Sequence, residues 1–164
     1  EENMKKYLIV LMLPNLLFAN WTVSYVSLDF DGIDLGAIAA SYSWETSESV
    51  EVEAGIGFGV SDYSENYNDS GVSIAAIAEL DPSLLLRGKY LVNENFWIGL
   101  TAGRIAGTGT AIACAGGSCF SESVSESDFD AGVGAGFRFG KENSFSVSFD
   151  SIADTQLLSL GYSF

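Results

Sequence analysis

Two stretches of this chain alternate without exception between large apolar residues and small or charged ones. In residues 50–60, Val50, Val52, Ala54, Ile56, Phe58 and Val60 oppose Glu51, Glu53, Gly55, Gly57 and Gly59. In residues 128–139, Phe129, Ala131, Val133, Ala135, Phe137 and Phe139 oppose Asp128, Asp130, Gly132, Gly134, Gly136 and Arg138. A period of two belongs to a β-strand, whose side chains point to opposite faces. The two faces differ in kind. A water-soluble sandwich or barrel must bury the large face, leaving Gly and Ser to solvent, although Gly in a strand costs stability and packs nothing. The reverse arrangement avoids that cost: large residues face lipid, and small polar ones line a narrow lumen.

The same pattern divides the chain into eight strands, at about residues 21–30, 35–44, 50–60, 80–92, 96–106, 128–139, 144–150 and 155–164. Several are about 10 residues long, the length a tilted strand needs to span a bilayer. The expected fold is therefore all-β, an eight-stranded antiparallel up-and-down transmembrane barrel. The first strand is the least regular. Trp21, Val23 and Tyr25 alternate, then the phase moves to Val26, Leu28 and Phe30. A one-residue shift predicts a bulge. Residues 61–71 and 107–127 are polar and acidic and read as long loops, and residues 72–79 fit either a loop or an extension of a hairpin. The last strand is expected to pair with the first and close the ring, so that no edge is left open.

Met4-Lys5-Lys6, the apolar run that follows and Ala19 have the layout of a secretory signal peptide. The run is too short for a transmembrane helix, which needs about 20 apolar residues. Residues 1–19 are thus expected to be a leader with Met4 as its natural start, and residues 20–164 a single barrel domain. In an exported protein, Cys114 and Cys119 in C-A-G-G-S-C read as a loop disulfide, with two free thiols as the alternative.

Composition removes several functions. The net charge is -15 with only 7 Lys and Arg, so phosphate contacts to nucleic acid are not expected. No His is present, which removes the commonest general base and most zinc sites. Gly55-Ile56-Gly57-Phe58-Gly59 and Gly132-Val133-Gly134-Ala135-Gly136 are spaced like nucleotide-binding glycines, but such a motif needs a helix after the strand and both runs continue as strand. Asp29, Asp31 and Asp34 around Gly32 fit a solvated acidic turn better than a calcium loop. No cofactor, metal or catalytic residue is expected.

Parity assigns Glu51, Glu53, Arg87, Lys89, Asp128, Asp130, Arg138 and Asp150 to the lumen. Charges in so confined a space need partners, since an unpaired buried charge is costly. An ion-paired network that plugs the barrel is the expected result. Trp21, Tyr25, Trp44, Tyr90, Phe96, Phe139, Tyr162 and Phe164 fall near strand ends, as in the interfacial girdles of membrane barrels.

The leader, the strand pattern ending in L-S-L-G-Y-S-F and the segment L-L-L-R-G-K-Y together resemble the small outer-membrane β-barrel family of OmpA-like domains and OmpX-like, porin-family small barrels. The resemblance covers about residues 21–164. It implies an outer-membrane location in a Gram-negative bacterium. It also implies that Leu158, Leu160, Tyr162 and Phe164 form the signal read by the barrel-assembly machinery. The expected role is non-enzymatic, structural or surface-interacting in adhesion or envelope integrity, with an extracellular ligand held by residues 61–71 and 107–127. The expected state is a monomer among outer-membrane lipids. The alternative is a narrow channel for ions or small solutes. Lipid-modifying barrels of similar size resemble one another in using a His, which this chain lacks.

Overall fold

The computed structural model describes residues 20–30, 32–69, 71–140 and 143–164. The expected signal peptide lies outside them. The strands are β1 (Asn20–Phe30), β2 (Ile33–Ser47), β3 (Val50–Gly59), β4 (Tyr63–Asp69), β5 (Val72–Leu80), β6 (Ser83–Leu91), β7 (Phe96–Ala115), β8 (Ser118–Phe139), β9 (Ser144–Ile152) and β10 (Thr155–Ser163). Eight of these form a ring in the order β7-β6-β3-β2-β1-β10-β9-β8, closed by pairing of β8 with β7. Every pairing is antiparallel.

The seam between last and first strand is continuous from Thr22 opposite Ser163 to Phe30 opposite Thr155. Beyond it, the Phe164 N–H donates to the Trp21 carbonyl at 3.0 Å. The bulge expected in β1 is absent: β1 keeps one register with both neighbours along its length. Val23 and Tyr25 point outward, while Val26 and Leu28 are buried inside. The change of phase marks an apolar layer within the lumen. The register shift lies elsewhere, between Glu45 and Ser47 of β2.

Both expected long loops are mostly strand. Residues 61–71 contain β4, and residues 72–79 belong to β5, which pairs with β4 and with β7 above the end of β6. Residues 107–127 continue β7 and β8 without a break up to a two-residue turn at Gly116 and Gly117, whose φ values are 58° and 83°. Two successive positive φ values are the geometry a tight hairpin prefers, and Gly adopts them without strain. The result is a four-stranded sheet, β4-β5-β7-β8, standing on one end of the ring.

That end is called distal here, and the end carrying Asn20 and Phe164 proximal. The outer wall is apolar, with Ile56, Phe58, Leu86, Leu100, Val133 and Leu160 all exposed. So continuous a belt far exceeds the apolar patches that soluble monomers show. Around the proximal end run contacts between aromatic rings: Trp21–Tyr42–Trp44, Phe96–Phe137–Phe139 and Phe145–Tyr162–Phe164, with centroids 4.8 to 6.4 Å apart. The residues of the expected assembly signal, Leu158, Leu160, Tyr162 and Phe164, all lie on this outer surface.

Candidate functional site in the barrel lumen

Strand parity turns Glu51 and Glu53 of β3, Arg87 and Lys89 of β6, Arg138 of β8 and Asp150 of β9 into the bore. Arg87 is the hub. Its Nη1 donates to Glu53 Oε1 at 2.7 Å, and its Nη2 and Nε donate to the two Asp150 oxygens at 2.6 and 3.2 Å. A planar guanidinium meeting a carboxylate at two points is among the stronger charge-assisted contacts. Asp150 also accepts from Thr101 Oγ1 at 2.6 Å. Nearer the proximal end, Lys89 Nζ bonds Glu51 Oε1 at 2.8 Å and pairs with Glu53, while Arg138 Nη2 reaches both Glu51 oxygens at 2.9 Å. Three carboxylates thus face three cations. Among the described residues, no buried side-chain nitrogen or oxygen lacks a hydrogen-bond partner.

Glycine makes room for these side chains. Trp97 of β7 points inward, is 4% exposed, and lies beneath Lys89 with its ring centroid 5.4 Å from Nζ. It fits because Gly136 stands opposite it on β8: a Cβ there would come within 2.6 Å of the indole nitrogen. Likewise a Cβ on Gly134 would collide with the Asp150 carboxylate. The Gly-rich inner face is therefore the space into which the polar plug is built. Sequence reasoning missed Trp97, although its in-phase position with Gly99 and Thr101 was a usable signal.

Distal to the ion pairs the bore changes character. Val26, Leu28, Ala37, Ile152 and Leu157 form a buried apolar cluster, packed against Ala39, Leu80, Leu85 and Ile105. Above it opens a vestibule of about 540 Å³. Asp128 and Asp130 belong to this vestibule and not to the network: both are exposed and neither makes an ion pair among the described residues. The reason is height. β9 stops pairing with β8 at Gly132 opposite Ile152, so Asp130 and Asp128 stand above the closed ring. The Cys114–Cys119 disulfide lies at the tip of the β7–β8 hairpin, with its Cα atoms 4.1 Å apart on facing strand positions. Among the described residues no group of three or more His, Cys, Asp or Glu is placed to hold a metal ion. Asp31 of the acidic β1–β2 turn lies outside them.

No protein-family model matches this sequence, and no curated protein matches it. Solved structures do resemble it. A major outer membrane protein from Thermus thermophilus is 13% identical over 89% of this chain and 98% of that one, with a TM-score of 0.50. Ail, the attachment invasion locus protein of Yersinia pestis, is 15% identical over 88% and 94%, with a TM-score of 0.42. CarO2 of Acinetobacter baumannii is 13% identical over 85% and 78%, with a TM-score of 0.45. At 13% identity, the likeness to the Thermus protein bears on the barrel fold alone.

Proposed function

We propose that this protein is a non-enzymatic β-barrel of a Gram-negative outer membrane, whose sealed bore serves as a rigid pedestal for the distal sheet. The observation that carries this is the double closure of the lumen. Six charges neutralise one another across the bore, and an apolar layer lies directly above them. An ion entering would have to displace matched charges and then cross a stretch that offers no hydrogen bonds; apolar constrictions of that kind block conduction by dewetting. The apolar outer belt and proximal aromatic ring suit a lipid environment. In this reading the distal hairpins β4–β5 and β7–β8 are the surface available to an extracellular ligand. Leu158, Leu160, Tyr162 and Phe164 guide assembly, and the protein is a monomer.

Two measurements test it. Detergent-extracted protein should migrate differently on a gel before and after heating, whereas solubility in plain buffer would defeat the membrane assignment. In planar bilayers the protein should show no steady conductance. A steady conductance that disappears when the Arg87 or Arg138 charge is removed would favour the narrow-channel alternative.

A further inference from the structure

The vestibule is not needed to seal the bore, and its chemistry points to a ligand. Its wall presents Ile33, Ile105 and Val124, backed by the buried side chains of Leu35 and Ile152. Its lining also includes the carboxylates of Glu126, Asp128, Asp130 and Asp154. The volume of about 540 Å³ lies in the range of small-molecule sites, which combine an apolar wall with a few polar groups.

Among the described residues that line the vestibule there is no Lys or Arg. The described cations are Arg87, Lys89, Arg104 and Arg138. Arg87, Lys89 and Arg138 are committed to the plug. Arg104 is exposed and donates to Ser127 Oγ at 3.1 Å. The four carboxylates are exposed and open to a cation from solution. Among the residues whose side chains are described, no Phe, Tyr or Trp lines the vestibule. It offers carboxylates, which suit an ammonium group with N–H donors.

We infer that the distal vestibule binds a small primary amine in its ammonium form, with the charged nitrogen at the acidic rim and an apolar body against Ile33, Ile105 and Val124. This goes beyond the sealed-pedestal reading, and the two can fail separately: conductance reports on the plug, whereas binding reports on rim and wall.

The test uses the full barrel in zwitterionic lipid nanodiscs, with empty nanodiscs as the blank, and calorimetric titration with 2-phenylethylammonium. That compound should bind, and 2-phenylethanol, its uncharged analogue, should bind about tenfold more weakly, as two or more partly exposed ion pairs would give. Ethylammonium, which lacks the apolar body, should also bind more weakly. Raising the salt concentration should reduce the preference for the cation. An Asp128→Asn/Asp130→Asn variant, with both sites exposed and its fold checked by heat-dependent gel migration, should lose most of that preference. Glu65→Gln, outside the vestibule, should bind like the parent. Equal affinity for the ammonium and the alcohol, unchanged affinity in the double variant, or no binding above the blank would each overturn the inference.

Discussion

The two halves of β8 belong to one uninterrupted strand and are stabilised in different ways. From Gly132 to Phe137 the strand is paired on both sides, with β7 and with β9, and its faces are divided between the outer wall and the plugged lumen. From Ser118 to Asp130 every residue is exposed, and the side away from β7 has no partner strand among the described residues. The proximal half depends on matched charges set into space left by glycine. The distal half depends on its ladder, the Gly116–Gly117 turn, hydroxyl pairs such as Thr108–Ser125 and Thr110–Ser123 at 2.9 Å, and the disulfide. A strand thus continues after it has ceased to bury a face, provided that its backbone partners continue with it. Disturbances should then have global effects in the lower half and local effects in the upper.

The sharpest contrast comes from removing one charge in each half. Arg87→Met leaves Asp150 buried without its cation and should cost about 3–5 kcal/mol. Glu122→Gln in the exposed hairpin should change stability by no more than about 0.5 kcal/mol. Denaturant unfolding in detergent, followed by Trp fluorescence, measures both; similar losses would erase the distinction. Next in size is Gly136→Val, which forces a side chain onto Trp97 and should cost about 1–3 kcal/mol by overpacking. The same substitution at Gly109, where the nearest atom to an added Cβ is 3.9 Å away, should be tolerated. Ala153, exposed in the β9–β10 turn with φ of 48°, is a non-Gly residue in left-handed conformation, and Ala153→Gly should raise stability by about 1 kcal/mol. The smallest global effect should come from replacing both Cys114 and Cys119 with Ser. The turn and ladder already hold these positions together, so unfolding should be nearly unchanged while amide exchange quickens at the hairpin tip.

Much of the ring was legible in the sequence because lipid on one side and a narrow lumen on the other impose a period-two contrast. The seam of β10 with β1 and the inward parity of Arg87, Lys89 and Asp150 follow from that contrast. What was illegible lacks it. Residues 118–127 read Ser-Cys-Phe-Ser-Glu-Ser-Val-Ser-Glu-Ser, and their strand forms through cross-strand pairing without burying a large face. Val26 and Leu28 misled for the opposite reason. They are large residues placed inside, where the bore becomes apolar, so a change of environment looked like a change of phase. Asp128 and Asp130 show a third limit: parity identifies the face a residue takes, but not its level along the barrel axis.

The cancellation of charge in the bore has an electrical consequence. Three carboxylates against three cations contribute no net charge, so the acidity of the chain is carried elsewhere. Toward the distal end lie Asp29, Asp34, Asp62, Glu65, Asp81, Glu122, Glu126 and Asp154, with Arg104 as the nearby cation among the described residues. Toward the proximal end the described acids are fewer, Glu45, Glu48 and Glu94. Among the described residues the charge is accordingly an axial dipole with its negative pole at the distal end. Copies aligned side by side in one membrane would repel at that pole over a screening length of about 8–10 Å, which sets a lateral spacing between neighbours that divalent cations would shorten.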